Sequence, residues 1–185
     1  WDGYPEEGWF PWLKRELESR GVEVIVPQMP VPDEPRIARW VPALAQVVGT
    51  PDERTFFVGH SMGCQAIARY LEGLPTGVKV GGAVFVAGFF KRLTNLEDDE
   101  IVRDVANEWL TTPLNLARVR AHLHRSEAIF SDDDPYVPAD NLPDFLDELG
   151  AHVTTLHARG HFSGARDKCF ELPEALEALM SILSE

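Results

Sequence analysis

Apolar residues along this chain fall in two alternating rhythms. Short runs, rich in β-branched and aromatic residues and too brief for a helix, occur at "VEVIVP" (22–27), "TFFVG" (55–59), "VGGAVFVAGFF" (80–90), "EAIFS" (127–131) and "HVTTLHA" (152–158). These read as strands, and the unbroken apolarity of 80–90 predicts burial on both faces. Between them lie longer stretches with apolar residues three and four apart. "PWLKRELESRG" (11–21) stops at Gly21, "RIARWVPALAQVVG" (36–49) carries Pro42 near its middle, where it would kink or split a helix, and "CQAIARYLEGL" (64–74) follows the second strand. Further helices are expected in "EDDEIVRDVANEWL" (97–110), "NLARVRAHLHR" (115–125), "NLPDFLDELG" (141–150) and "LPEALEALMSILSE" (172–185). Strand and helix in alternation predict a mostly parallel sheet with helices on both faces. Ligands of such sheets bind beyond the carboxyl ends of the strands, so functional residues should stand just after strands.

Three residues do. Ser61 follows "TFFVG" in "VGHSMG", between Gly59 and Gly63, whose missing side chains would let the turn bend sharply and the next helix pack close. Asp134 follows "EAIFS" in "SDDDPYVP", and His161 follows the last strand in "ARGHFSG". Serine, aspartate, histidine is the order used by α/β-hydrolases. The chemistry needs all three: a hydroxyl is a poor nucleophile until a neutral imidazole takes its proton, and a carboxylate must fix the imidazole's tautomer. The oxyanion formed by attack needs donors already in place, and the backbone N–H of Met62 is one candidate. The second normally comes from the loop after a first strand, and Trp1 to Gly3 is where that loop would end. Of the three adjacent carboxylates, Asp134 is favoured because Pro135 holds it extended at the strand exit, with Asp133 facing the other way. Asp132 and Asp133 read as solvated loop residues or as restraints on the strand end.

Bulk properties narrow the function. At 185 residues the chain suits one domain, 1–185, and its formal net charge of -13 would repel nucleic acid and anionic lipid. No apolar run approaches the roughly 20 residues of a membrane span. Two distant cysteines, Cys64 and Cys169, favour a reducing compartment over a disulfide-built fold, so a cytoplasmic location is expected. The opening "WDGYPEEGWF" has no initiator Met and no signal-peptide pattern, and reads as lacking the true start. His122 and His124, two apart on an expected helix, point in different directions and make a poor metal pair. His60 is expected to pack or hydrogen-bond rather than act as base. Cys64 is expected to be a buried small residue. Phe89, Trp109, Tyr136 and Phe162, near strand ends, are candidate substrate contacts.

With these motifs in view, the chain resembles the RBBP9/YdeN family of small α/β-hydrolase-fold serine hydrolases. The resemblance rests on "GWFPWLKREL", "MPVPDEPRIARWV", "VGHSMGCQAIARYLE", "DDDPYVP" and "GHF", and spans nearly the whole length. It implies an α/β-hydrolase fold with a minimal cap, Ser61 as nucleophile, Asp134 as acid and His161 as base. The family begins with a strand and a Gly-containing turn before the segment matching "GWFPW", so the first strand is expected to be missing from the chain given. The expected activity is hydrolysis of small esters or amides through an acyl-enzyme, with no cofactor and no metal. An alternative is a protein-interaction module that keeps the fold with little turnover, in which case the partner is another protein.

Overall fold

In the computed structural model, which describes Trp1 and residues 3–184, four of the five expected strands form one sheet. They are β1 (Phe56–His60), β2 (Val80–Val86), β3 (Leu123–Ser131) and β4 (His152–Leu156). All neighbours are parallel, in the order β1-β2-β3-β4. Each crossover carries helix or helical turns: α3 (Met62–Glu72) between β1 and β2, α4 (Glu100–Thr111) and α5 (Leu116–His122) before β3, and a π-helical turn (Asp144–Glu148) before β4. Ahead of the sheet run α1 (Phe10–Glu18) and α2 (Ile37–Val48); after it come the short α6 (Gly164–Asp167) and the closing α7 (Pro173–Leu183). Asp2, within the expected oxyanion loop, and Glu185, the last residue of the expected closing helix, lie outside the described residues.

The two-residue period of the strands divides the core. Every residue of β2 is buried. Its Ala83 and Phe85 join Phe57, Phe130, Phe145 and the inner face of α3 on one side. Val84 and Val86 join Ile129, Leu13 and Leu17 of α1, and Leu179 and Ile182 of α7 on the other. Alternate residues point to opposite faces, so a sheet covered on both sides must be apolar at every position. Burying a side chain such as Phe85 contributes about 2–3 kcal/mol.

Three expectations need correction. "VEVIVP" forms no strand among the described residues. It lies across a cleft of about 1820 Å³ whose walls include Val22, Val24 and Val26 on one side and Phe56, Val58 and His60 of β1 on the other. A strand exists only where a neighbour accepts its backbone hydrogen bonds, and no strand of the described residues pairs with this segment. Secondly, Pro42 does not split α2, which runs unbroken from Ile37 to Val48. Thirdly, β3 starts at Leu123, where the register with Val80 of β2 begins, so the expected helix ends at His122 and His124 belongs to a strand.

The region between β2 and β3 packs against α3. Arg69, buried in α3, donates to the carbonyls of Trp109 (2.8 Å), Thr112 (2.9 Å) and Pro113 (3.2 Å), which fastens the end of α4 onto α3. Leu93, Leu96 and Val102 line the cleft from this side. No helix of the described residues is long and apolar enough to cross a membrane.

Candidate active site

The site is assembled at the carboxyl ends of β1, β3 and β4. Ser61 occupies the step from β1 into α3 with φ 52° and ψ -118°, a left-handed conformation that a residue with a Cβ adopts only when its surroundings force it. The forces are visible. Its N–H donates to Val86 O (2.9 Å), and Cys64 N–H returns to Ser61 O (3.0 Å). A Cβ on Gly59 would lie 2.7 Å from Ile67 Cδ1 and 2.9 Å from Cys64 N, so only glycine lets α3 pack this close to the strand. Gly63 differs from expectation, since a Cβ there would meet nothing within 4 Å. Its bare side borders the cleft instead.

Asp134 Oδ2 lies 2.8 Å from His161 Nδ1, with side-chain exposures of 2% and 12%. The other carboxylate oxygen accepts from the N–H groups of Tyr136 (2.8 Å) and Val137 (3.0 Å). A carboxylate accepting three hydrogen bonds in a buried loop is held in position. It requires His161 to carry its proton on Nδ1, leaving Nε2 as the acceptor nitrogen. Ser61 and His161 line the same cleft.

The loop carrying His161 is held along its backbone. Ala158 N–H donates to Asp132 Oδ1 (2.9 Å), Arg159 N–H to Ser131 Oγ (2.9 Å), Gly160 N–H to Asp133 Oδ1 (2.8 Å) and His161 N–H to Asp167 Oδ2 (2.9 Å). Asp132 also pairs with His157 (2.7 Å). Asp132 and Asp133 therefore do more than sit in solvent; they tie the exit of β3 to the exit of β4. Both are held below the usual carboxylate range, Asp132 chiefly by Ala158 N–H and Asp133 chiefly by the Ser131 hydroxyl. Sequence reading missed Asp167, six residues beyond His161, and the one available signal was its closeness in sequence. It also missed Asn141, whose buried side chain accepts from the N–H groups of Phe90, Lys91 and Arg92 and so shapes the loop after β2.

Known proteins resemble this chain over nearly its whole length. The family model described as serine hydrolase matches residues 1–180. The chain belongs to the serine hydrolase family. Among curated relatives, this serine hydrolase is 32% identical over 178 residues to the hydrolase YdeN of Bacillus subtilis (strain 168), covering 96% of this chain and 89% of YdeN. It is 27% identical over 178 residues to the serine hydrolase RBBP9 of Rattus norvegicus, covering 96% of this chain and 87% of RBBP9. The crystal structure of the B. subtilis ydeN gene product superposes with a TM-score of 0.90 at 29% identity, covering 100% of this chain and 95% of that one. The fold is that of the α/β-hydrolases, and the resemblance to the RBBP9/YdeN family holds.

Not every expected site residue of the serine hydrolase reaches the cleft. Phe89, Tyr136, Met62 and Trp1 line it, and the Trp1 indole N–H is donated to Asp33 O (3.0 Å). Trp109 instead is buried against Trp40, with its indole N–H given to Pro35 O (2.7 Å). Phe162 is fully buried in the cluster with Trp9 and Leu172. Neither is among the residues that line the cleft, because the helix face of one and the left-handed backbone of the other (φ 57°) turn the rings into the core. His122 faces inward, with Nδ1 2.7 Å from Val78 O, while His124 faces outward to Glu53. Cys64 is buried close to Ser61, and burial pushes its thiol pKa up, as it does for Cys169.

Proposed function

We propose that the protein hydrolyses small esters or amides by acyl transfer through an acyl-enzyme on Ser61. The observation that carries this reading is the buried contact of 2.8 Å between Asp134 Oδ2 and His161 Nδ1, on the cleft to which the Ser61 turn opens. In this reading Ser61 Oγ attacks the substrate carbonyl while His161 Nε2 takes the hydroxyl proton. The imidazolium then gives that proton to the departing alcohol or amine. Water, deprotonated by the same imidazole, attacks the acyl-enzyme and releases the acid. Asp134 remains charged throughout and stabilises the imidazolium. The oxyanion is received by Met62 N–H at the start of α3, where first-turn N–H groups lack helical partners and the helix dipole favours negative charge, and by the backbone at Trp1. Phe89 and Tyr136 offer apolar and aromatic contacts for the acyl and alcohol parts. Such acyl transfer needs no cofactor and no metal.

The chain is read as one domain, 1–185, with a minimal cap, acting in the cytoplasm, where the two free thiols would stay reduced. Labelling by a fluorophosphonate probe tests the mechanism without knowledge of the substrate. The native protein should be labelled and Ser61→Ala should not. A native protein that folds but resists the probe would return the choice to a protein-interaction module that retains the fold.

A further inference from the structure

His161 is fixed at more than its side chain. The main-chain N–H donates to Asp167 Oδ2 (2.9 Å), and the main-chain oxygen lies 2.7 Å from His60 Nε2. We propose that His60 and Asp167 are positioning residues that clamp the backbone of the base from its two polar sides, holding the imidazole in register with Ser61. The inference rests on the reading of Ser61, Asp134 and His161 as nucleophile, acid and base.

Each half of the clamp is built for the task. A carbonyl only accepts, so His60 Nε2 must carry the proton and donate. The His60 ring is half-buried against Trp9 and Phe10, with centroids 6.0 and 6.2 Å away, and its own centroid is 5.0 Å from that of His161. Burial and the neighbouring His161 push His60 down to about 3. Its open side toward the cleft tempers the size of that shift and leaves its direction unchanged. A neutral ring with one committed N–H cannot compete as base, and it adds no positive charge beside an imidazolium forming 5.0 Å away. His60 is also covalently next to Ser61, so the contact ties the nucleophile's strand directly to the base's loop.

Asp167 supplies the opposite side. The oxygen that accepts from His161 N–H also accepts from the N–H (2.9 Å) and hydroxyl (2.9 Å) of Ser163. Its second oxygen fills the space beside Gly160, where a Cβ would fall 2.5 Å from Oδ1 and where φ is 55°. Glycine at 160 is thus favoured by the backbone conformation, and the carboxylate packed on it leaves no room for a Cβ.

The test compares paired substitutions on p-nitrophenyl acetate, with fluorophosphonate labelling rates as the second readout. His60→Phe keeps an aromatic ring and removes the donor; His60→Gln keeps an amide N–H donor. Asp167→Ala removes all the acceptors, and Asp167→Asn keeps one. We expect His60→Phe and Asp167→Ala to lower kcat about 10- to 100-fold, the scale of a misplaced catalytic group, with KM changed less than about threefold. The conservative partners should recover most of the loss, and thermal unfolding should confirm that all four fold. Native kcat in folded His60→Phe or Asp167→Ala would overturn the proposal, as would losses that the conservative variants fail to recover. If His60→Phe does not fold, the Asp167 pair decides alone. Failure of the underlying mechanism is separately visible, because native protein would then resist the probe or Ser61→Ala would still be labelled.

Discussion

The turn carrying Ser61 and the loop carrying His161 line one cleft and are fixed by opposite means. Ser61 is held by its own backbone and by close packing: a strand ends, a helix begins, and Gly59 lets the two approach until a Cβ there would lie 2.9 Å from Cys64 N. Few conformations satisfy those constraints, so packing defines the turn. The loop from His157 to Ser163 has no such steric corset. Fixing each of its residues costs about 1–2 kcal/mol, and four consecutive N–H groups each meet a side-chain oxygen, three of them carboxylate oxygens. Hydrogen bonds to charged groups are stronger than those between neutral partners, and these ties act against that cost. A strained turn is thus specified by what it excludes, and a long loop by what it is tied to.

Substitutions can sharpen or break this contrast. The largest effect is expected from Ser61→Ala, which should lower ester turnover by about five to six orders of magnitude while the fold survives, because one oxygen leaves a turn that packing still defines. Turnover near native would remove Ser61 from the mechanism. On the loop side, Asp134→Asn should cost about three to four orders of magnitude, since an amide facing Nδ1 favours the wrong tautomer. Kinetics with circular dichroism on the same sample checks both.

Steric specification of the turn predicts a stability difference between its two glycines. Gly59→Ala forces a Cβ against the Cys64 backbone and should destabilise by about 1–3 kcal/mol, read as a fall in the urea midpoint. Gly63→Ala meets nothing within 4 Å and lies in a helix, so stability should be unchanged or raised by up to about 1 kcal/mol. Equal losses at the two positions would refute the steric account of the turn.

Smallest are the effects at the ties themselves. Asp132→Asn and Asp133→Asn keep an acceptor oxygen and should each lose less than about tenfold in turnover. Their signature is instead in stability against pH. Both carboxylates are depressed below their ordinary 3.8 in the folded protein, so their contribution is full above that value and is lost as pH falls through the lower folded values. His157, raised above its ordinary 6.5 chiefly by its hydrogen bond to Asp132, works in the other sense. Its contribution is full below 6.5 and is lost as pH rises through the raised folded value. The difference in Tm between native protein and the Asp132→Asn, Asp133→Asn double variant should therefore be widest between pH 3.8 and 6.5. A gap that stays constant from about pH 3 to 8 would show that these charges do not hold the loop.

The sequence by itself determined whatever neighbouring residues encode. The apolar period marked β1, β2, β4 and the long helices, since burial on one or both faces is written into alternate positions. Ser61, Asp134 and His161 were legible because each stands just after a strand, and parallel strands bring the residues at their carboxyl ends to one edge of the sheet. Tertiary structure decided the rest. "VEVIVP" has strand composition, but a strand, unlike a helix, takes its hydrogen bonds from another segment, and here it faces the cleft. Trp109 and Phe162 stand near the site in sequence order, yet a helix face and a left-handed backbone send their rings into the core. The roles of His60, Asp132, Asp133 and Asp167 depend on which backbone N–H or C=O lies within hydrogen-bond reach, and that distance is set only when β1, β3 and β4 are brought into one sheet.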